Sequence, residues 1–245
     1  MSNQNLEKPS LHTLLTPQLL DLYEIKNSIV VIIDVFRATS TMATALYNGA
    51  SKIIPVDSPE ACIEMGKATG GITAGERDGK IIPGLSYGNS PSEYPRSFIE
   101  NKTLVITTTN GTKLLHMALK MGAKQVITGS FPNLSNVVAY LKAQNAPVIL
   151  GCSGWKNRFN IEDTLFAGAV IEAVKDNFTI HCDSSLMANQ LYIQQKDNLP
   201  EYIKTLTHWH RLAAYGLEAD MLYCVSNDTA PCLPIFKDGA LINGA

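Results

Sequence analysis

The sequence has no apolar run approaching the roughly 18 residues that a membrane-spanning helix needs, and its opening stretch, MSNQNLEKPS, holds neither the basic nor the apolar region of a signal peptide. Both absences point to a cytoplasmic protein with no membrane partner. Its five cysteines, Cys62, Cys152, Cys182, Cys224 and Cys232, are odd in number and include no CxxC pair. No disulfide framework or zinc cluster is therefore signalled, and most of them read as small buried hydrophobes. Charge is scarce as well: 17% of residues are charged, and 20 basic against 22 acidic side chains leave a net charge of −2. That balance excludes a general polyanion binder, nucleic acid included, and leaves room for a local anion site.

What the chain does have is core. At 245 residues and 45% hydrophobic it is long enough to bury a substantial interior. The run Ile29 to Ile33 (IVVII) is β-branched throughout, as in a strand buried on both faces of a parallel sheet. After DVFRA, helical apolar spacing (Met42, Ala45, Leu46) covers Thr39 to Asn48 and ends at Gly49, where a C-cap glycine belongs. A strand is expected over Lys52 to Val56, and Ser58-Pro59 opens another helix.

Shifting the sequence by 73 residues sets Asp34 on Thr107 and produces seven identities between 39–59 and 112–132: Thr39/Thr112, Ala45/Ala118, Leu46/Leu119, Gly49/Gly122, Ala50/Ala123, Ile54/Ile127 and Pro59/Pro132. Several fall at structural punctuation, so the pattern reads as an internal duplication of a β-loop-α-β-α-β unit. Two copies, about 29–100 and 103–175, followed by a mainly helical segment 178–245, predict one compact domain. Its fold is expected to be a three-layer α/β/α sandwich with a parallel or mixed sheet.

Third strands are expected at Gly71 to Ala74 and Pro147 to Leu150, each leading into a loop rich in Gly, Pro, Ser and Asn, the kind of long loop that is often functional. Later helices are expected at Ile161 to Val174, Ser184 to Gln195 and Pro200 to Tyr215, with a turn at Asp238-Gly239.

In an open α/β sheet, ligands bind outside the carboxyl ends of the strands, and the repeat singles out two such loops. The first, DVFRATST, offers Asp34, Arg37, Thr39 and Ser40; the second, TTTNGT, offers Thr107, Thr108, Thr109, Asn110, Gly111 and Thr112. Free N–H groups and the helix dipole make such helix starts good anion sites, although Thr39 and Thr112 also have the plain reading of N-caps. Asp34 is open to three roles: metal ligand, nucleophile or general base. Two familiar assignments fail. Phe36 stands where the second aspartate of a haloacid-dehalogenase pair is required, and TTTNGTK lacks the ends of a Walker loop.

Glu76, Arg77 and Asp78 follow the third strand of the first copy, and Glu162 and Asp163 open the helix after the second. A hard cation such as Mg²⁺ needs carboxylate oxygens, and Asp34, Glu76, Asp163 and Glu162 are the acids placed to supply them. Acids at a helix start also favour the dipole with no metal. His208, His210 and Arg211 sit on an expected helix and rank behind the site.

Taken together, DVFRATST, GER with PGLSYGNSP, TTTNGT and EDTLFAG, followed by THWHRLAAYGLEADMLYC and LPIFKDG, resemble the blocks of the 2-phosphosulfolactate phosphatase family over nearly the whole chain. The resemblance implies a Mg²⁺-dependent phosphatase that converts 2-phospho-3-sulfolactate to 3-sulfolactate and phosphate in coenzyme M biosynthesis. It brings Asp34, Arg37, Thr39, Ser40, Glu76, Arg77, Asn89, Ser90, Thr107 to Thr112, Glu162 and Asp163 within the family's motifs. Ser153 lies in a more variable loop and is carried as a further substrate contact. The rival reading is a phosphatase of, or a binding protein for, another small phosphorylated 2-hydroxy acid. Carboxylates beside the anion site favour an enzyme, because a mere anion binder gains nothing from them. A homo-oligomer is compatible with the sequence, which does not specify one.

Overall fold

A computed structural model describes residues 8–77 and 79–244; Asp78 and the opening segment lie outside the described residues. The elements follow in order as β1 (Leu11–Leu14), β2 (Ile29–Ile33), α1 (Ala38–Tyr47), β3 (Lys52–Pro55), α2 (Pro59–Thr69), β4 (Ile72–Arg77), β5 (Lys80–Ile81), α3 (Arg96–Ile99), β6 (Thr103–Thr107), α4 (Gly111–Lys120), β7 (Gln125–Gly129), α5 (Leu134–Lys142), β8 (Val148–Cys152), α6 (Ile161–Val174), α7 (Asp183–Gln195), α8 (Leu199–Tyr202), α9 (Thr207–Ala213), α10 (Glu218–Cys224), β9 (Pro234–Lys237) and β10 (Ala240–Asn243). No helix among the described residues is long and apolar enough to cross a membrane.

The strands form one mixed sheet of ten in the order β1-β8-β2-β7-β9-β10-β3-β6-β4-β5. Within it, β2 lies parallel between β7 and β8, and β6 lies parallel between β3 and β4. Each half of the sheet thus takes its middle strand from the other half of the sequence. The β9–β10 hairpin, turning at Asp238-Gly239, joins the halves through antiparallel contacts to β7 and β3. The sequence shows the turn but not this central position, since a short strand such as PIFK or ALIN looks the same at an edge or in the middle.

Every residue of β2 is buried, as a strand covered on both faces requires. On one face, Val30 and Ile32 share a core with Leu104 and Ile106 of β6, Met42 and Leu46 of α1, and Leu114 and Leu115 of α4. On the other, Val31 and Ile33 pack with Leu165, Phe166 and Val170 of α6. Val105 meets Cys62 of α2 in a smaller cluster. These are the three α/β/α layers. Helices α1 and α4 therefore share a core with inward residues of both half-sheets, which brings their amino termini together.

Two expected boundaries move. The third strand of the first copy runs through Glu76 and Arg77, because these residues pair with Lys80 and Ile81 in a tight hairpin. The expected helix from Pro200 to Tyr215 divides into α8 and α9, since Leu206 is extended at φ −79° and ψ 146°.

Candidate active site

Helices α1 and α4 begin 73 residues apart, at Ala38 and Gly111, and their first N–H groups converge on one carboxylate, Asp34. Asp34 terminates β2 within a loop that folds on itself: its N–H donates to Thr39 Oγ1 (3.1 Å), and Ser40 Oγ donates to the Val35 carbonyl (2.9 Å). Gly111 is required here by space. A Cβ at this position would lie 2.9 Å from Asp34 Oδ2 and 3.2 Å from Ala38 Cβ.

Burial pushes the Asp34 carboxyl up to about 7, and the Glu76 and Glu162 carboxylates push the same way; the Gly111 and Ala38 amides oppose them. Asp163, buried under the same loop, is pushed well above the usual carboxylate range, first by burial and then by Glu162 and Asp34. Its two oxygens accept N–H bonds from Val35 (2.8 Å) and Gly154 (3.0 Å), so Asp163 clamps the Asp34 loop to the end of β8.

Glu76 reaches across to the second loop. Its Oε1 accepts from Thr109 N (3.1 Å) and Thr109 Oγ1 (2.9 Å), and its Oε2 from Gly79 N (3.0 Å). Arg37, which follows a cis Phe36–Arg37 peptide bond, is buried against Asp220 of α10, and Ser90 Oγ donates to the same Asp220 (2.7 Å). Glu162 Oε1 pairs with His208 Nδ1 at 2.5 Å, which ties α6 to α9.

Several of these residues meet at one cleft, lined by Asp34, Phe36, Arg37, Glu76, Asn89, Thr109, Asn110, Trp155, His208 and Arg211 among others. Trp155 stands on a tight turn in which Gly154, at φ +57°, leaves no room for a side chain: a Cβ would meet the Arg158 carbonyl at 2.1 Å. The Arg211 guanidinium stacks on the Trp155 ring at 3.7 Å.

The sequence candidates thus divide. Asp34, Arg37, Glu76, Asn89, Thr109 and Asn110 line the cleft together. Thr39, Ser40, Thr108 and Thr112 engage their hydroxyls within their own loops, but the N-cap reading of Thr39 and Thr112 is corrected: each is the second residue of a helix whose N-cap is Arg37 or Asn110, and neither helix start has a side-chain cap hydrogen bond. Thr107 is fully buried at the end of β6 and accepts from Arg77 Nη2 (3.4 Å), while Arg77 lines a separate surface pocket with Lys113, His116 and Lys120. Ser90 serves Asp220, and Ser153 is buried outside the residues that line the cleft. Ranking His208 and Arg211 behind the site is corrected: both line it, whereas His210 is exposed. Trp155 was missed within a loop without periodicity, and Asp220 because nothing local pairs it with Arg37.

The acids do not form one compact ligand set. Among the described residues no three of His, Cys, Asp and Glu are arranged to hold a metal ion. The cleft does offer hard oxygens: carboxylates Asp34 and Glu76, and Asn89 Oδ1, which is buried without a hydrogen-bond partner. That donor chemistry fits Mg²⁺, which is commonly bound through one or two carboxylates with water and phosphate oxygens completing its shell.

Carboxylates facing guanidinium groups at the carboxyl ends of parallel strands, beneath two helix amino termini, define an α/β enzyme site for a small, multiply charged anion. Comparison with known proteins names the kind. The model of the 2-phosphosulpholactate phosphatase family matches residues 14–239, and the chain belongs to that family. A Thermotoga maritima protein named "Probable 2-phosphosulfolactate phosphatase" is 40% identical over 86% of this chain and 90% of its own length. A Caldanaerobacter subterraneus protein of the same name is 36% identical over 90% of this chain and 96% of its own. One from Clostridium perfringens is 33% identical over 91% of both.

Proposed function

We propose that this chain is a Mg²⁺-dependent phosphatase that hydrolyses 2-phospho-3-sulfolactate to 3-sulfolactate and phosphate, a cytoplasmic step in coenzyme M biosynthesis. The observation that carries the reading is one cleft in which Asp34 and Glu76 face Arg37 and Arg211. The substrate bears phosphate, carboxylate and sulfonate groups, so its site needs several cationic or N–H donors. It also needs oxygen donors for a cation that offsets the crowded negative charge.

Asp34, Glu76 and Asn89 Oδ1 are the groups that would hold Mg²⁺, which when bound supplies positive charge to the phosphate oxygens. Arg37, fixed by Asp220, is placed to stabilise charge on the transferring phosphoryl group without reorganising. Arg211, held flat against Trp155, presents a second planar fork of donors suited to carboxylate or sulfonate. Thr109 keeps Glu76 in place, and Asp163 keeps the Asp34 loop closed. Phe36 and Trp155 supply the apolar wall that limits water.

Phosphate release measured on a panel including phosphosulfolactate and phospholactate, with Mg²⁺ and after chelation, tests the reading. Mg²⁺-dependent release that falls when the sulfonate is replaced by hydrogen is the expected result. Equal release without divalent cation would overturn the metal assignment, and indifference to the sulfonate would overturn the substrate. The stereochemical course at a chirally labelled phosphate separates direct water attack, which inverts configuration, from an aspartyl phosphate on Asp34, which retains it through two inversions.

A further inference from the structure

Hydrolysing an alkyl phosphate leaves an alkoxide, a poor leaving group unless a proton reaches it as the P–O bond breaks. Among the titratable groups lining the cleft, few can give one. Arg37 and Arg211 do not release protons in proteins. Asp34 and Glu76 are the carboxylates that would hold the cation, as ionised acceptors, and they accept from the N–H groups of Gly111 and Ala38, and of Thr109 and Gly79. His208 remains.

Its ring stands between the cleft and a second cavity lined by Asn160, Glu162, Tyr202 and Thr207. Nδ1 faces that second side, 2.5 Å from Glu162 Oε1 and 3.2 Å from Asn160 Nδ2. A carboxylate oxygen accepts, so Nδ1–H donates to Glu162, and Nε2 is the nitrogen left for the cleft. Phe36 packs edge-on against the ring, with centroids 5.7 Å apart, and holds its plane. Glu162 is 1% exposed and its Oε2 has no hydrogen-bond partner, an arrangement that packing alone does not call for. Base, orienting carboxylate and open nitrogen have the layout by which a histidine is made to move protons in one direction.

We propose that His208 is the catalytic acid that protonates the leaving alcohol oxygen, and that Glu162 is its positioning residue. The proposal rests on the phosphatase reading. The oxygen of the attacking water forms a new bond to phosphorus while the bond from phosphorus to the substrate's C2 oxygen breaks. That oxygen takes the Nε2 proton and departs as the hydroxyl of sulfolactate. The water brings two protons; one stays on the phosphate, and the other is released to solvent, from which His208 regains its own.

The test is steady-state hydrolysis of phosphosulfolactate and of its 3,3-difluoro analogue, whose alkoxide is a weaker base, by the wild type, His208→Gln and Glu162→Gln. His208→Gln is expected to lose about 10² to 10³ in kcat with KM within threefold on the natural ester, and at least tenfold less than that on the fluorinated one. Glu162→Gln is expected to lose about tenfold, with the same relief on fluorination. An equal loss on both esters, or a kcat within threefold of wild type, overturns the assignment. Thermal melting is followed alongside, and His208→Asn replaces His208→Gln if the latter does not fold. A wild type that releases no phosphate from any monoester sinks the phosphatase reading instead, so the two failures are distinct.

Discussion

The loops after β2 and β6 occupy equivalent places, yet their chemistry is opposite. Both lead into helices of ten residues that start 73 positions apart, and in both a threonine closes the turn: Thr39 Oγ1 accepts from Asp34 N, and Thr112 Oγ1 accepts from Thr108 N. The first loop carries the charge, and each charged group depends on a distant partner, Asp34 on Gly111 and Arg37 on Asp220. The second loop has no charge, is largely satisfied within itself, and reaches outward mainly through Thr109 to Glu76. The comparison teaches that the threonine common to both loops closes a turn at the helix start, while the residues that differ set the charge beside the cleft.

The sharpest way to break that comparison is Asp34→Asn. If the charge of the first loop does the chemistry, kcat falls by about 10² to 10³ while the fold persists; near-normal turnover would end the distinction. Stability should move the other way. The folded Asp34 carboxyl lies near 7, above its unfolded value of 3.8, so the folded state binds the proton more tightly. Its favourable contribution is complete below about pH 4 and lost as pH rises through 7. In metal-free protein at pH 8, Asp34→Asn therefore melts higher than wild type by the equivalent of a few kcal/mol at most, and the gain vanishes near pH 4. Thermal melts across that range, in chelator, check the sign.

Gly111→Ala is the next test, because it adds one methyl group to the second loop at the point where the two loops touch. The new Cβ meets Asp34 Oδ2 at 2.9 Å, too close without displacement. The expected cost is about 1–3 kcal/mol of stability, together with a kcat loss of roughly 10- to 100-fold as Asp34 shifts. The equivalent change in the first loop, Ala38→Gly, removes a methyl and costs about 0.5–1 kcal/mol, with kcat within threefold. Equal kinetic effects from the pair would mean that contact between the loops does not set the position of Asp34.

Much of the frame was legible in the sequence, for reasons that are local. The IVVII run, the Gly49 and Gly122 helix ends and the Ser58-Pro59 start each mark structure within a few residues, and the strand-end loops did hold Asp34, Arg37, Glu76, Asn89, Thr109 and Asn110 around one cleft. What could not be read was long-range. Arg37 finds Asp220 183 residues away, and Glu162 finds His208 46 away, and neither pairing leaves a periodic trace. His208 and Arg211 ranked behind the site because a helical histidine is more often structural than catalytic, and His210 on the same helix is indeed exposed. Hydroxyls misled for a related reason: a threonine that caps a helix, one that closes the loop before it and one that greets a ligand are the same residue until the direction of its bond is known.

Thr112→Ala probes the smallest difference and tests that last point directly. Its hydroxyl accepts from Thr108 N at 3.3 Å and donates to the Thr108 carbonyl at 3.2 Å, so it is engaged entirely within the loop. Removing it should cost about 1 kcal/mol, as for a lost intramolecular hydrogen bond, and leave kcat and KM within twofold. Thr39→Ala should cost a similar amount of stability but reduce kcat severalfold, because Thr39 Oγ1 holds the backbone N–H of Asp34 itself. Urea unfolding and steady-state kinetics on the two variants decide the matter. Equal stability losses with unequal kinetics would show that one loop-closing hydroxyl, used twice, supports the chemistry in only one of its two places; a raised KM in Thr112→Ala would instead return that hydroxyl to the substrate.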